Sequence, residues 1–249
     1  MSDTFTTLIL AAGLGKRMKS ALPKILHEIA GRPLVHYVID LAREVGSDRI
    51  ILIIGHKQEL VRECTAGIGV EYAVQAEQLG TGHAVQMCRE LLTGYDGDLL
   101  TLSGDVPLLR RESVQAAWQI HRETQAVATV FTFKPDDPKG YGRIVRGPEG
   151  ELRRIVEHKD ADAEERRIQE VNGGIYFFRS KDLFNALEQV NNDNAAKEYY
   201  LTDTISLLRS EDKRVSAYLV EDPLEMAGVN SPEQLTELER YFLDRRRMG

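Results

Sequence analysis

Apolar residues along the chain alternate between short β-rich runs and longer helix-spaced stretches. Residues 6–10 form a strand-like run that stops at Ala11-Ala12-Gly13. Over residues 33–45, Leu34, Val35, Val38, Ile39, Leu41, Ala42 and Val45 repeat at helical spacing, with Pro33 suited to the first turn. Residues 49–54 are continuously apolar after Arg49, which suits a strand buried on both faces. The alternation predicts a helix over 58–65, a strand over 70–74, a helix over 82–92, a strand over 98–102 and a helix over 111–124. Strand–helix units of this length imply a parallel sheet covered by helices on both sides.

The rhythm changes after residue 125. Strands are predicted over 126–134, 142–146, 152–157 and 171–178, with Gly147-Pro148-Glu149-Gly150 as a hairpin turn. Helices follow over 180–191 and 201–210, then a strand over 215–220. Ser231 as N-cap, Pro232 in the first turn and Gln234 in a capping box announce a last helix. The fold class is therefore α/β: a Rossmann-like, doubly wound, mixed but mostly parallel sheet with a small antiparallel lobe. No repeat or low-complexity linker interrupts the chain, so residues 1–249 read as one domain. It divides at about 1–125, about 126–230 and a terminal helix over 231–249.

Composition removes several classes of function. The 249 residues are 42% hydrophobic, enough for one substantial core, and the net charge of −7 argues against a non-specific nucleic-acid binder. Cys64 and Cys88 are spaced as core thiols rather than as a redox motif or disulfide framework. The amino terminus lacks the basic-then-apolar pattern of a signal peptide, and no apolar run reaches the ~20 residues of a membrane helix. A cytoplasmic protein without membrane or nucleic-acid partners is expected.

Candidate chemistry begins at the first turn. Leu10-Ala11-Ala12-Gly13-Leu14-Gly15-Lys16-Arg17-Met18 follows the first strand directly. Small residues let backbone N–H groups approach phosphate oxygens closely. A dinucleotide fingerprint would need glycine where Met18 stands, and the Gly-Lys-Ser/Thr of a P-loop is absent. Gly-x-Gly alone is a weak signal. What strengthens it is Lys16, Arg17, Lys19 and Lys24 crowding one loop of an acidic protein, at the sheet end where α/β folds bind ligands. Such a loop suits a polyphosphate, with Arg17 as a planar fork and Lys24 as a point charge.

This loop, followed by Leu22-Pro23-Lys24, resembles the signature of the sugar-nucleotide pyrophosphorylase family. Three later segments narrow the resemblance: Gln75-Ala76-Glu77-Gln78-Leu79-Gly80-Thr81-Gly82-His83, Gly104-Asp105-Val106-Pro107 and Val156-Glu157-His158-Lys159-Asp160. Together they are similar to the uridyltransferase domain of the bacterial bifunctional N-acetylglucosamine-1-phosphate uridyltransferase/acetyltransferases. The similarity runs in order from about residue 6 to about residue 242.

The resemblance implies a nucleotide-diphospho-sugar transferase fold and uridylyl transfer from UTP to a sugar 1-phosphate, with Mg²⁺ as cofactor. A sugar 1-phosphate is mostly dianionic at neutral pH, since its second pKa is about 6, so attack on the α-phosphorus needs no protein base. Alignment, charge neutralisation and a metal remain for the protein to supply. Arg17, Lys24 and Asp105 are the implied catalytic group, and Asp105 and Asn230 the implied metal ligands. Leu10, Ala11, Ala12, Gly13, Gly15, Gln75, Gln78, Gly80, Thr81, Ser103 and Gly104 would contact the nucleotide. Gln75 offers one donor and one acceptor to the base; because an amide can turn over to suit cytosine, uracil selection rests on the resemblance. His83 reads as the start of a helix. Gly140, Glu157, Asn172 and Tyr199 would contact the sugar, although Glu157 alone reads as surface and Tyr199 could equally be core.

The chain departs from the family pattern at three positions. Lys16 replaces a frequent threonine, Ser103 a tyrosine, and Gly173 a threonine beside Asn172. Nothing resembles the hexapeptide repeats of a left-handed β-helix, so no acetyltransferase activity and no trimer built on that element are expected; the oligomeric state stays open. His27-Glu28 lacks the second histidine of a zinc-protease motif, Arg245-Arg246-Arg247 suits a helix C-terminus, and Trp118 suits the core. The competing readings are the same reaction with another sugar phosphate or nucleotide, and a non-catalytic sensor of sugar nucleotides. The sensor is disfavoured by retention of Arg17, Lys24, Asp105 and Asn230.

Overall fold

In the computed structural model, residues 4–13 and 15–248 are described, the side chains of Lys16 and residues 246–248 excepted. The start of the signal-peptide window (Met1–Asp3), Leu14 of the glycine loop, the Lys16 side chain, and the Arg246 and Arg247 side chains of the basic run lie outside the described residues. In chain order the strands and helices begin with β1 (Phe5–Leu10), a small ribbon of β2 (Glu28–Ile29) and β3 (Arg32–Pro33), α1 (Leu34–Glu44) and β4 (Ser47–Ile54). Then come α2 (Gln58–Cys64), β5 (Glu71–Val74), α3 (Thr81–Gln86), β6 (Asp98–Ser103) and α4 (Arg111–Glu123). The second half holds β7 (Ala128–Phe133), β8 (Arg143–Arg146), β9 (Leu152–Val156), β10 (Val171–Arg179), α5 (Ser180–Leu187), α6 (Asp203–Ser210), β11 (Val215–Leu219) and α7 (Pro232–Met248).

One sheet carries the molecule, in the order β11-β7-β10-β6-β1-β4-β5. β6, β1, β4 and β5 run parallel, while β10 is antiparallel to both β6 and β7. The hairpin β8–β9 hangs off β10, closed where Gly147 N donates to Glu151 O at 2.8 Å. This is the mixed, mostly parallel sheet with an antiparallel appendage that the pattern implies.

Continuous apolarity in β4 has a direct packing reason. Ile50, Leu52 and Ile54 face one core cluster and Ile51 and Ile53 the other, so all five are buried. Trp118 packs on the first cluster, edge-on to Phe5 at 5.0 Å. Both cysteines are free: Cys88 is buried and its thiol pushed up to about 12 by that burial, whereas Cys64 is half-buried rather than core.

Two helices are shorter than their apolar periodicity. α3 ends at Gln86, and Cys88 N and Arg89 N reach back only three residues, to Val85 O and Gln86 O. A run of mostly three-residue turns, with single four-residue bonds such as Leu92 N to Cys88 O at 3.1 Å, keeps Val85, Cys88 and Leu92 inward beyond the regular helix. Similarly α5 stops at Leu187, where Gln189 N bonds Ala186 O at 3.0 Å. The last helix begins as expected, with Ser231 Oγ accepting from Gln234 N at 3.3 Å. Its box is displaced by one residue, because Gln234 Oε1 accepts from Asn230 N at 2.8 Å instead of from Ser231 N.

Candidate active site

β1 is flanked by β4 on one side and β6 on the other, and the chain fills the first side before crossing to the second. That reversal opens a crevice at the strands' carboxyl ends, where Leu10 is in register with Ser103. A cleft of about 500 Å³ occupies this place. Leu10, Ala11, Ala12, Gly13 and Gly15 line it from the end of β1, and Gln75, Gln78, Gly80 and Thr81 from the end of β5. Ser103 and Asp105 enter from β6, while Arg17, Lys24 and Asn230 close the rim. Gly104 lies behind this lining. Its N–H donates to Leu10 O at 3.0 Å, and a Cβ there would meet that oxygen and the Ile25 methyl, each at 3.1 Å. Gly104 thus joins β1 to the Asp105 turn rather than offering its N–H to a ligand.

The charged residues meet at the rim although they are far apart in sequence. Asp105 is 6% exposed; its Oδ1 accepts from Ser103 Oγ at 2.5 Å and its Oδ2 pairs with Lys24 Nζ. The same ammonium lies 3.3 Å from Asn230 Oδ1, which also accepts from Arg17 Nη2 at 2.9 Å. Packing explains the convergence: Met18 and Val229, each one residue from Arg17 or Asn230, share a small cluster with Ile29, Leu34 and Leu238 of α7. Asp105 O accepts from Val229 N at 3.1 Å, drawing the two segments together. Gly228 makes this possible, since a Cβ there would stand 3.0 Å from Asp105 Oδ2.

No group of three or more His, Cys, Asp or Glu side chains gathers to hold a metal among the described residues. Asp105 and Asn230 nevertheless present oxygens close enough together for one divalent cation to share. The Lys24 ammonium touches an oxygen of each, so a single cation reaches both. Magnesium takes oxygen donors, keeps waters and uses substrate phosphates for the rest of its shell.

A second cavity of about 230 Å³ adjoins the first and shares Leu10 and Thr81 with it. Gly140, Glu157 and Asn172 all line it. Glu157 is half-buried, not surface: its Oε1 accepts from Thr202 Oγ1 at 3.0 Å. Burial raises its pKa, aided by the carboxylates of Asp203, Asp160 and Glu198 and opposed by the Thr202 bond. Asn172 is 9% exposed and oriented by its neighbours, donating to Tyr176 Oη at 2.7 Å and accepting from Gly174 N at 3.1 Å. Tyr141 joins the lining, and burial, with Asp105 nearby, raises its pKa.

Tyr199 borders neither cavity. Its backbone accepts from Gly82 N and donates to Leu79 O, each at 2.8 Å, and its ring sits 6.4 Å from that of His83. It braces the turn from Leu79 to Gly82. His83 in turn is more than a helix start, because its Nδ1 lies 3.0 Å from Gln75 Nε2. The sequence reading also passed over Gly55, Tyr176 and Met226. A Cβ at Gly55 would be 2.8 Å from both Gln75 O and Gln78 Nε2, so only glycine admits the β5 loop here. Met226 Cε fills the space at Gly173, 2.1 Å from where a Cβ would be. A spacing rule finds none of these, since each depends on a contact between distant segments.

A protein-family model, described as nucleotidyl transferase, matches residues 6–223. The chain belongs to the nucleotidyl transferase family. Among similar curated proteins, the bifunctional protein GlmU of Acetivibrio thermocellus is 47% identical over 98% of this chain and 52% of its own length. Those of Exiguobacterium sibiricum (49%, 93% and 51%) and Geobacter sulfurreducens (45%, 96% and 50%) are similar in the same way. The chain spans about half the length of the curated relatives it matches. Among solved structures, a UDP-glucose pyrophosphorylase complexed with UDP-glucose superposes with a TM-score of 0.76, covering 97% of this chain and 99% of that one. At 19% identity that likeness shows a shared nucleotidyl transferase fold and nothing finer. No helix among the described residues is long and apolar enough to cross a membrane.

Proposed function

We propose that the chain is a cytoplasmic, Mg²⁺-dependent enzyme that transfers a uridylyl group from UTP to N-acetylglucosamine 1-phosphate. A phosphate oxygen of the sugar phosphate attacks the α-phosphorus of UTP. The bond from that phosphorus to the bridging oxygen breaks, and pyrophosphate leaves with the electron pair. The observation that carries this reading is the meeting of Lys24, Asp105, Asn230 and Arg17 on the rim of a cleft at the sheet's switch point.

Arg17 and Lys24 supply fixed positive charge beside the transferring group, where charge builds in the transition state. Gly13 and Gly15 line the same cleft and, lacking side chains, leave room for phosphates. Asp105 and Asn230 would hold Mg²⁺, which when bound offsets phosphate charge and polarises the phosphorus. Glu157 and Asn172 present a carboxylate and an amide to sugar hydroxyl and acetamido groups in the adjoining cavity. The nucleotide is accordingly assigned mainly to the 1–125 half and the sugar mainly to the 126–230 half, with α7 buttressing Asn230 through the bond from Asn230 N to Gln234 Oε1.

Pyrophosphate release tests the reading across a panel of nucleoside triphosphates and sugar 1-phosphates, with and without Mg²⁺. The expected result is the highest kcat/KM for UTP with N-acetylglucosamine 1-phosphate, abolished by chelation. A different best pair displaces the substrate assignment, and no release with any pair removes the transferase reading.

A further inference from the structure

The two oxygens of the Asp105 carboxylate have different partners. Oδ1 accepts from Ser103 Oγ at 2.5 Å, while Oδ2 meets the Lys24 ammonium and faces Gly228, where a Cβ would stand 3.0 Å away. Asn230 Oδ1 lies 3.3 Å from the same ammonium, so a cation at that place is shared by Oδ2 and Asn230. An ionised carboxylate has no hydrogen to give, so the hydrogen in the Ser103 bond is the serine's. A hydroxyl has only one. Although Ser103 lines the first cleft, its oxygen then has only lone pairs to turn toward a phosphate, which is itself an acceptor.

The serine is fixed by its backbone. It closes β6 in register with Leu10 of β1, and its carbonyl accepts from Val106 N at 3.2 Å across the turn that carries Asp105. Gly104 N, inside that turn, donates to Leu10 O at 3.0 Å. The carboxylate has no comparable anchor of its own, because the torsion about its Cβ–Cγ bond is broad and sets its plane only weakly. At 6% exposure, water has little access to take that role. Among the described residues, the Ser103 hydroxyl is the side-chain hydrogen bond that stays on Asp105 when another cation takes the place of the Lys24 ammonium.

We infer that Ser103 is a positioning residue for the metal centre: its hydroxyl pins Oδ1 and turns Oδ2 toward Asn230, presetting the pair of oxygens that a divalent cation shares. Without that bond the carboxylate plane rotates, and Oδ2 spends part of its time turned away from Asn230. The inference rests on the proposed cation site at Asp105 and Asn230. It goes beyond that reading by taking the Ser103 hydroxyl out of the nucleotide's contacts and giving it to the metal ligand.

The test compares wild type, Ser103→Ala and Ser103→Thr by calorimetry in two arms. In one, Mn²⁺ is titrated into enzyme saturated with UDP-N-acetylglucosamine; in the other, UTP is titrated in the presence of a chelator. Neither arm supplies a full substrate pair, so neither involves turnover. Ser103→Ala is expected to weaken Mn²⁺ binding by roughly 10- to 100-fold, the usual loss when a partner that orients a metal ligand is removed, and to leave metal-free UTP binding unchanged. Ser103→Thr, which keeps the hydroxyl, restores the Mn²⁺ affinity. A lowered melting temperature in Ser103→Ala with both affinities intact marks a merely structural serine and overturns the proposal. Weakened UTP binding with unchanged Mn²⁺ affinity also overturns it, because the hydroxyl then serves the nucleotide. So does a wild type that binds no Mn²⁺. A wild type that binds Mn²⁺ and loses affinity in Ser103→Ala, yet releases no pyrophosphate with any substrate pair, supports the Ser103 assignment and removes only the transferase reading.

Discussion

Lys24 sets its ammonium on the Asp105 carboxylate from 81 residues away, and both side chains are largely shielded, at 20% and 9% exposure. Each is therefore the other's principal counter-charge in the absence of ligand. Lys24→Met is expected to lower kcat by roughly 10²–10³, the usual loss when one donor to a transition-state charge is removed. It should also lower the melting temperature, because among the described residues the buried Asp105 carboxylate then keeps its side-chain bond to Ser103 alone and loses its cation. Adding Asp105→Asn should recover the melting temperature and none of the activity. Recovery of activity in the double variant would show that the pair is structural alone.

Gly228 sits where a methyl group would press on Asp105. Its backbone is not in the left-handed region, so alanine is tolerated by the chain but places Cβ 3.0 Å from Asp105 Oδ2 and 3.7 Å from Asn230 Nδ2. Gly228→Ala is expected to raise the Mg²⁺ concentration for half-maximal activity about tenfold, with little change in the KM for sugar phosphate. Magnesium titration of the initial rate checks this; an unaltered titration contradicts the assignment of both residues to the metal.

Arg17 bonds Asn230 from the exposed side of the rim, across 213 residues. Removing a charged hydrogen-bond donor costs about 1.5–3 kcal/mol where the bond is to phosphate, or roughly 10- to 100-fold. Arg17→Ala should raise the KM for UTP and depress kcat within that range, leaving the KM for sugar phosphate near its wild-type value. An effect confined to the sugar phosphate would place Arg17 on the wrong substrate.

Glu157 carries a pH signature in stability. Burial raises its folded-state pKa above the ordinary 4.5, so the fold favours the protonated carboxyl. That contribution is present below the unfolded pKa and disappears as pH rises through the raised folded value. Glu157→Gln, which can still accept from Thr202 Oγ1, is expected to melt above wild type at pH 7. The difference should shrink toward zero near pH 4. Melting curves across that range check it, and a gap that widens on acidification contradicts it.

The parts of the fold visible in the sequence are those set by local burial. β1, α1, β4 and α4 are legible because each presents its own apolar period to one or both core clusters. α3 and α5 read too long because turns preserve inward apolar positions, Cys88 and Leu92 in one case and Val190 in the other, after the regular helix has ended. Within the site, motif residues at strand ends are legible from their types and order, and the cleft and adjoining cavity collect all of them save Gly104 and Tyr199. The missed features are contacts between separate elements: His83 on Gln75, Gly55 beneath Gln78, and Met226 filling the place of a side chain at Gly173. Each is a relation between two surfaces, and a one-dimensional pattern holds no record of it.

A crystal structure of the chain with UDP-N-acetylglucosamine and Mg²⁺ tests the central claim most directly. The account predicts the diphosphate over the Gly13–Gly15 loop, the metal bound by Asp105 and Asn230, Lys24 released from Asp105 to a phosphate oxygen, and the sugar against Glu157 and Asn172. Nucleotide density outside the cleft between β1 and β6, or a metal held without Asp105, would contradict it.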